Sequence, residues 1–196
     1  VERHPVLLVP GWSDTDRALR HALRFLVGAG WPETYVRALR FRDRFGSNYE
    51  HAREIAAAAQ RLLEDSGRDR IDLVAHSMGG LASRFFLHRM GGWRVCRRAV
   101  FLGSPHRGTW IAWLAWGAGG AEMRAGSPFL TEIAACETED LPVEFFTVRT
   151  PLDLRIFPGH SAVLPRATNH RVWCPTHQAL LRHRRTLDLV LRILRD

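Results

Sequence analysis

The sequence predicts an α/β fold in which a mostly parallel sheet carries helices on both faces. Three observations predict it. Apolar runs of strand length alternate with stretches of helical period, the pattern of parallel strands joined by crossover helices. The run Ile71-Asp72-Leu73-Val74 leads into a tight small-residue turn, Ala75-His76-Ser77-Met78-Gly79-Gly80, and then into helical spacing at Leu81, Phe85, Phe86 and Met90. Asp153 and His177 come just after later strand-like runs, as Ser77 does, and in open parallel sheets the edge beyond the strands' C-terminal ends is where sites form.

Val6–Val9 is an unbroken apolar run, as expected of a strand buried on both faces. Helical spacing follows around Asp16–Val27, then a strand-like stretch over Tyr35–Phe41 and a second helix around Tyr49–Glu64. The Ile71–Ala75 strand enters the small-residue turn, and Gly80–Met90 is the helix that leaves it. Val95–Leu102 and Val143–Val148 are further apolar strands. Arg171–Cys174 is another, ended by Pro175, which has no N–H to give a ladder. Apolar residues at helical spacing from Gln178 to Leu194 close the chain. No internal repeat, low-complexity tract or interdomain linker interrupts the alternation. Residues 1–196 are therefore expected to form one domain with a substantial core.

Composition narrows the function. Hydrophobic residues make up 46% of the chain, ordinary for a globular protein. The 28 basic residues are all Arg, and the net charge is +8. These arginines are scattered through every expected helix, and no nucleic-acid-reading motif accompanies them, so nucleic acid is not expected as a partner. A basic surface still attracts anionic interfaces through long-range, salt-sensitive forces. The absence of Lys excludes a Walker phosphate loop and a Schiff-base lysine. Cys96, Cys136 and Cys174 are too widely spaced for a zinc ribbon or thioredoxin-like site; three buried thiols are expected, with one disulfide as the alternative. No HExxH or dense ligand cluster appears, and neither a metal nor a cofactor is expected. The chain starts at Val1 with no apolar leader, and neither compartment (cytoplasmic or exported) nor oligomeric state leaves a mark in it.

The turn at Ser77 carries the chemistry. Small-x-Ser-x-Gly between a strand and a helix is the pattern of a nucleophile elbow, with Ala75 standing where Gly is commoner. Such a turn holds the Ser in a strained conformation, and Ala75 and Gly79 leave room for strand and helix to approach. The same five residues also occur in plain loops before helices, so the remainder of the chain has to decide. An elbow of this kind requires an acid and then a His further along. Asp153 lies in the turn-like segment Thr150-Pro151-Leu152-Asp153 after the Val143–Val148 strand, and His177 follows Arg171–Cys174. Among rivals, Asp140 precedes a strand and Glu144 lies within it, so both should point away from the edge. His160, His170 and His183 are alternative bases, but His170 begins a strand and His183 falls within the last helix. In the favoured assignment Ser77 attacks, His177 takes its proton, and Asp153 fixes the imidazole tautomer and stabilises the imidazolium.

The chain resembles small bacterial lipases and esterases of the α/β-hydrolase superfamily, the minimal lidless lipases in particular. The matching segments are Val6-Leu7-Leu8-Val9-Pro10-Gly11-Trp12, the stretch from Ile71 to Gly80, Leu102-Gly103-Ser104-Pro105-His106-Arg107-Gly108-Thr109, and Thr176-His177-Gln178-Ala179-Leu180-Leu181. Their order and spacing cover nearly the whole chain. The resemblance implies a single α/β-hydrolase domain that hydrolyses carboxylic esters or lipids through an acyl-enzyme. It also implies an oxyanion hole built from the backbone N–H groups of Trp12 and Met78. One departure is Pro10-Gly11, where such lipases usually carry His-Gly; the backbone donor at Trp12 survives that change.

The segment 109–129 is the most individual part of the chain. Trp110, Trp113 and Trp116 recur at threes, with Gly117-Ala118-Gly119-Gly120 after them. One reading is a small cap over the acyl pocket, hinged on glycine, its Trp side chains meeting substrate or a lipid interface. The other is a core helix whose Trp residues only pack. Position between Ser77 and Asp153 favours the cap, with Trp110, Trp113 and Leu152 as substrate contacts. The function expected is therefore that of a serine esterase or lipase. The alternatives are an acyltransferase or thioesterase with the same triad, an amidase or peptidase, and a non-catalytic binding module on this fold.

Overall fold

The computed structural model describes residues 3–137 and 139–195; Val1 and Asp196, the ends of the expected 1–196 domain, lie outside the described residues. Six strands, β1 (Val6–Val9), β2 (Val36–Ala38), β3 (Ile71–His76), β4 (Cys96–Leu102), β5 (Glu144–Arg149) and β6 (Thr168–Arg171), form one sheet in the order β2-β1-β3-β4-β5-β6. Every pairing is parallel. The helices are α1 (Asp16–Gly28), α2 (Asn48–Ser66), α3 (Met78–Arg89), α4 (Gly117–Glu122), α5 (Pro128–Ala134) and α6 (Arg184–Arg195).

Side chains alternate across each strand and feed two apolar layers. Leu7, Val9, Leu73, Ala75, Ala99 and Phe101 face α2 and α3, meeting Ile55, Ala59, Leu62 and Phe86. Val6, Leu8, Val74, Val100, Leu102 and Val148 face α1 and α6, meeting Leu19, Leu26, Leu187 and Val190. Both faces of the central strands are thus dry, which is why β1 reads as a continuous apolar run and β3 departs from one only at Asp72, paired with Arg97, and at its last residue, His76. From β1 the chain turns one way to β2 and later the other way through β3 to β6. The strand order therefore reverses between β1 and β3, and the crevice beyond their C-terminal ends is the topological switch point. Ser47 caps α2 by accepting the Tyr49 N–H, and Gly67 ends that helix in the left-handed region, φ 64°.

Several elements differ from the sequence expectation. The strand expected over Tyr35–Phe41 keeps only Val36–Ala38 in the ladder, whose last pair is Leu8 with Ala38; the Leu39 N–H still donates to the Leu8 carbonyl at 2.9 Å before the chain leaves β1. Leu39 and Phe41 are buried all the same, so hydropathy continued where pairing stopped. In the same way β6 pairs over Thr168–Arg171, and the apolar Val172–Cys174 runs on past the end of β5. The closing helix is two pieces, a short 3-10 turn over His177–Leu181 and then α6. Leu180, Leu181 and Leu187 bury against the same layer, which makes the periodicity look continuous. Helix α3 begins at Met78, two residues earlier than Gly80.

The segment 109–129 is not one helix. It is a 3-10 turn (Trp110–Leu114), an extended step at Trp116, and then α4, with Gly117 at φ 77°. Trp110, Trp113 and Trp116 are 62%, 66% and 63% exposed, so they do not pack as a core stripe. Cys96, Cys136 and Cys174 are buried free thiols. No helix among the described residues is long and apolar enough to cross a membrane.

Candidate active site

Ser77 is the single residue between β3 and α3, at φ 53° and ψ −128°. A non-glycine residue in this region stores on the order of 1–3 kcal/mol of strain, which surrounding contacts must hold. They do so tightly. The Ser77 N–H donates to the Leu102 carbonyl at 2.9 Å. A Cβ at Gly79 would run into the Pro10 carbonyl, and one at Gly80 into the Ser104 side chain. Across the crevice, a Cβ at Gly11 would meet Ser77 Cβ at 2.8 Å, so the loop after β1 lies directly on the elbow.

Asp153 and His177 arrive from two later loops and meet. His177 Nδ1 lies 2.7 Å from Asp153 Oδ2, and both side chains are almost fully buried. The other carboxylate oxygen accepts the backbone N–H groups of Arg155 (2.9 Å) and Ile156 (3.0 Å), which fixes its orientation. Burial on its own would raise the Asp153 carboxyl, but the hydrogen bond and charge of His177 and the two N–H groups outweigh it and hold the acid below its usual value. Burial pushes the His177 imidazole below its usual value, with Asp153 opposing and the charges of His76 and Arg155 adding to the downward push. An ionised carboxylate only accepts, so Nδ1 carries the proton and Nε2 is left with its lone pair. On a loop edge, Gly103 at φ 59° leaves space for that ring; a Cβ there would meet His177 Nδ1 at 3.0 Å.

Ser77 and His177 line one cavity of about 350 Å³, together with Trp12, Ile111, Leu114, Trp116, Met123 and Ile156. Trp12 is held by edge-on contacts with Phe45 (5.2 Å) and Trp116 (5.0 Å). Met78 is fully buried as the first residue of α3, where the backbone N–H has no partner within the helix. The expected substrate contacts Trp110, Trp113 and Leu152 are exposed and lie outside the lining; segment 109–129 contributes to the wall through Ile111, Leu114, Trp116 and Met123 with smaller neighbours. Trp110 instead packs edge-on against Phe157 at the rim, and the Arg124 guanidinium sits over Trp113.

Sequence reasoning missed the polar residues that also line this cavity, Thr109 and Arg155 at one side and a linked group of Asp14, His76 and Gln178. The Asp14 carboxylate accepts the Gly11 N–H at 3.1 Å and the Gln178 amide at 3.1 Å, and meets His76 Nδ1 at 2.8 Å. The signal available was weak: Asp14 reads as a residue just ahead of a helix. Elsewhere, His88, Cys136 and Glu139 bring possible metal-ligand atoms within 4.8 Å of one another towards the far end of α3. His88 already bonds Glu139, and Arg89 pairs with the same carboxylate, so cationic charge surrounds the group.

No protein-family model matches the chain. A triacylglycerol lipase of Pseudarthrobacter phenanthrenivorans is 27% identical over 116 residues, covering 56% of this chain and 35% of that protein. One of Burkholderia plantarii matches at the same identity and length over 32% of its own chain. The chain thus spans about a third of the length of these curated relatives. Among solved structures, the mature Bacillus licheniformis lipase BlEst2 superposes with TM-score 0.82 at 18% identity, covering 98% of this chain and 92% of that one. Aspergillus fumigatus lipase B gives TM-score 0.86 at 17% identity over 99% of this chain and 53% of that one. The chain therefore has the α/β-hydrolase fold, and in sequence and backbone it is similar to small lipases and esterases.

Proposed function

We propose that this chain is a serine carboxylic-ester hydrolase, acting on esters or lipids as one α/β-hydrolase domain. The observation that carries the reading is the conjunction at the switch point: a strained Ser77 sharing a cavity with His177, whose Nδ1 is 2.7 Å from a buried carboxylate. Similarity to lipases by name supports it.

In this reading Ser77 Oγ attacks the ester carbonyl carbon while His177 Nε2 accepts its proton. Asp153 stabilises the imidazolium that forms and keeps the ring turned towards the serine. The backbone N–H groups of Trp12 and Met78 hold the oxyanion, and α3 adds its positive end. The imidazolium then protonates the leaving alcohol, and water, activated by the same ring, releases the acid. Every step uses side chains and backbone of this chain, so the scheme needs no metal or cofactor. The apolar wall of Ile111, Leu114, Trp116 and Met123 receives the acyl chain. The exposed Trp110, Trp113, Leu114 and Leu154 around it form a rim suited to a lipid interface, as exposed apolar patches near sites often are.

The test is hydrolysis of p-nitrophenyl esters from acetate to palmitate by wild type and Ser77→Ala. Turnover that vanishes with the hydroxyl supports a serine esterase, and the preferred chain length divides esterase from lipase. Folded wild-type protein inert on every ester, but active in transfer to alcohols or on thioesters, would replace hydrolysis by acyl transfer or thioester cleavage.

A further inference from the structure

Beside the Asp153–His177 pair lies a second buried carboxylate–imidazole pair that the mechanism above does not use. His76 Nδ1 faces Asp14 Oδ2 at 2.8 Å, with side chains 1% and 7% exposed. Its ring packs against the His177 ring, centroids 4.6 Å apart, and its Nε2 lies 3.4 Å from the His177 carbonyl oxygen. We propose that Asp14 and His76 are positioning residues for the Ser77 chemistry, one carboxylate tying together the oxyanion loop, the residue before the nucleophile and the residue after the base. The proposal rests on the ester-hydrolase reading for its consequence, and on geometry for its existence.

Three segments far apart in sequence converge on Asp14. Gly11 N–H comes from the loop after β1, His76 from the last position of β3, and Gln178 from the turn that carries His177. Burial on its own would raise the Asp14 carboxyl, but the bond and charge of His76, then Gln178 and Gly11, hold it below its usual value. It is therefore ionised and can only accept, so His76 Nδ1 must carry a proton.

Two consequences follow for the reaction. Gly11 precedes Trp12, whose N–H serves the oxyanion in this reading, so losing Asp14 frees the backbone one residue before that donor. Reaction geometry tolerates displacements of only about 0.5 Å. The second consequence is electrostatic. The titratable and charged groups around His177 are Asp153, Arg155, His76 and, bonded to His76, Asp14; burial is the main cause of the lowered imidazole, Asp153 opposes it, and His76 and Arg155 add to it. His76 thereby adds to the burial that favours the neutral, proton-accepting ring of His177.

The experiment follows the His177 ring by NMR against pH in wild type and His76→Asn, alongside kinetics of Asp14→Asn on p-nitrophenyl butyrate. We expect the His177 midpoint to move upward in His76→Asn. We expect kcat to fall on the order of 100-fold in Asp14→Asn with KM within about twofold, the mark of lost orientation. A His177 midpoint that stays put or falls overturns the electrostatic role, and an unchanged kcat overturns the positioning role. Should either core variant fail to fold, Gln178→Ala removes one of the three donors to Asp14 from a half-buried position; a lower kcat at constant KM supports the link, and an unchanged kcat overturns it. The ring titration needs no substrate, so a wild type inert on esters would remove the hydrolase reading while the titration still decides whether His76 acts on His177.

Discussion

Asp153→Asn separates the charge of the acid from its shape. One oxygen of Asp153 accepts two backbone N–H groups, from Arg155 and Ile156, and the other faces His177 Nδ1 at 2.7 Å. Asparagine has one carbonyl oxygen to offer, and two donors compete for it on the loop side against one on the histidine side. Turning its NH2 group to the loop would set donors against two N–H groups in a buried site, each left unsatisfied at about 1–3 kcal/mol. The carbonyl therefore stays with the loop and the NH2 faces His177. The imidazole must then present a lone pair at Nδ1 and carry its proton on Nε2, the tautomer that cannot accept from Ser77. The same substitution in a Ser-His-Asp triad lowers kcat by about 10⁴, or roughly 5.5 kcal/mol of transition-state stabilisation. Because both loop bonds survive, the thermal midpoint should barely move. Initial rates on a short p-nitrophenyl ester, with calorimetry on the same samples, read both quantities. A folded variant within about tenfold of wild type would refute the assignment of Asp153 as orienter of the base.

Three further outcomes follow from the same geometry. Since burial lowers the His177 imidazole and the neutral ring is the base, kcat/KM should hold its plateau as pH falls through the ordinary value of 6.5 and decline only below it; an acidic limb at or above 6.5 would contradict this. Gly79→Ala places a methyl group against the Pro10 carbonyl and Val9, so the end of β1 must move and carry Gly11 and Trp12 with it. We expect a loss of about 1–3 kcal/mol in urea unfolding and on the order of 100-fold in kcat, and wild-type behaviour would show that the close approach does not matter. Trp113→Ser and Leu154→Ser change side chains that are 66% and 85% exposed. They should leave hydrolysis of a soluble short ester unchanged and slow hydrolysis of an emulsified long-chain ester; equal effects on both would remove the rim from lipid contact.

What the sequence disclosed was local or ordinal. The elbow is local: strand, small residues, Ser77 and helix follow within a dozen positions, and its strain shows in one φ value. Asp153 and His177 were found by order along the chain and by falling after strand-like runs. The structure brings them to 2.7 Å although 24 positions separate them. Hydropathy failed where it reports burial and not pairing: Leu39, Phe41, Val172 and Cys174 are buried although the ladders end at Ala38 and Arg171. It failed again in 109–129, where a spacing of three suggested a helix face and the chain formed a 3-10 turn with its Trp side chains outward. Asp14 was hidden for a different reason. Its partners His76 and Gln178 lie 62 and 164 positions away, and no local pattern distinguishes an acid that ties its own loop to a strand end and a distant turn from one that precedes a helix.

The central claim is that Ser77 is a nucleophile activated by its surroundings, and reaction with an alkyl fluorophosphonate tests it most directly. Intact-mass and peptide analysis should find one phosphonate on the protein, attached at Ser77, forming quickly in wild type, slowly in Asp153→Asn and not at all in Ser77→Ala. Labelling spread over other serines, or none in folded wild-type protein, would contradict the account.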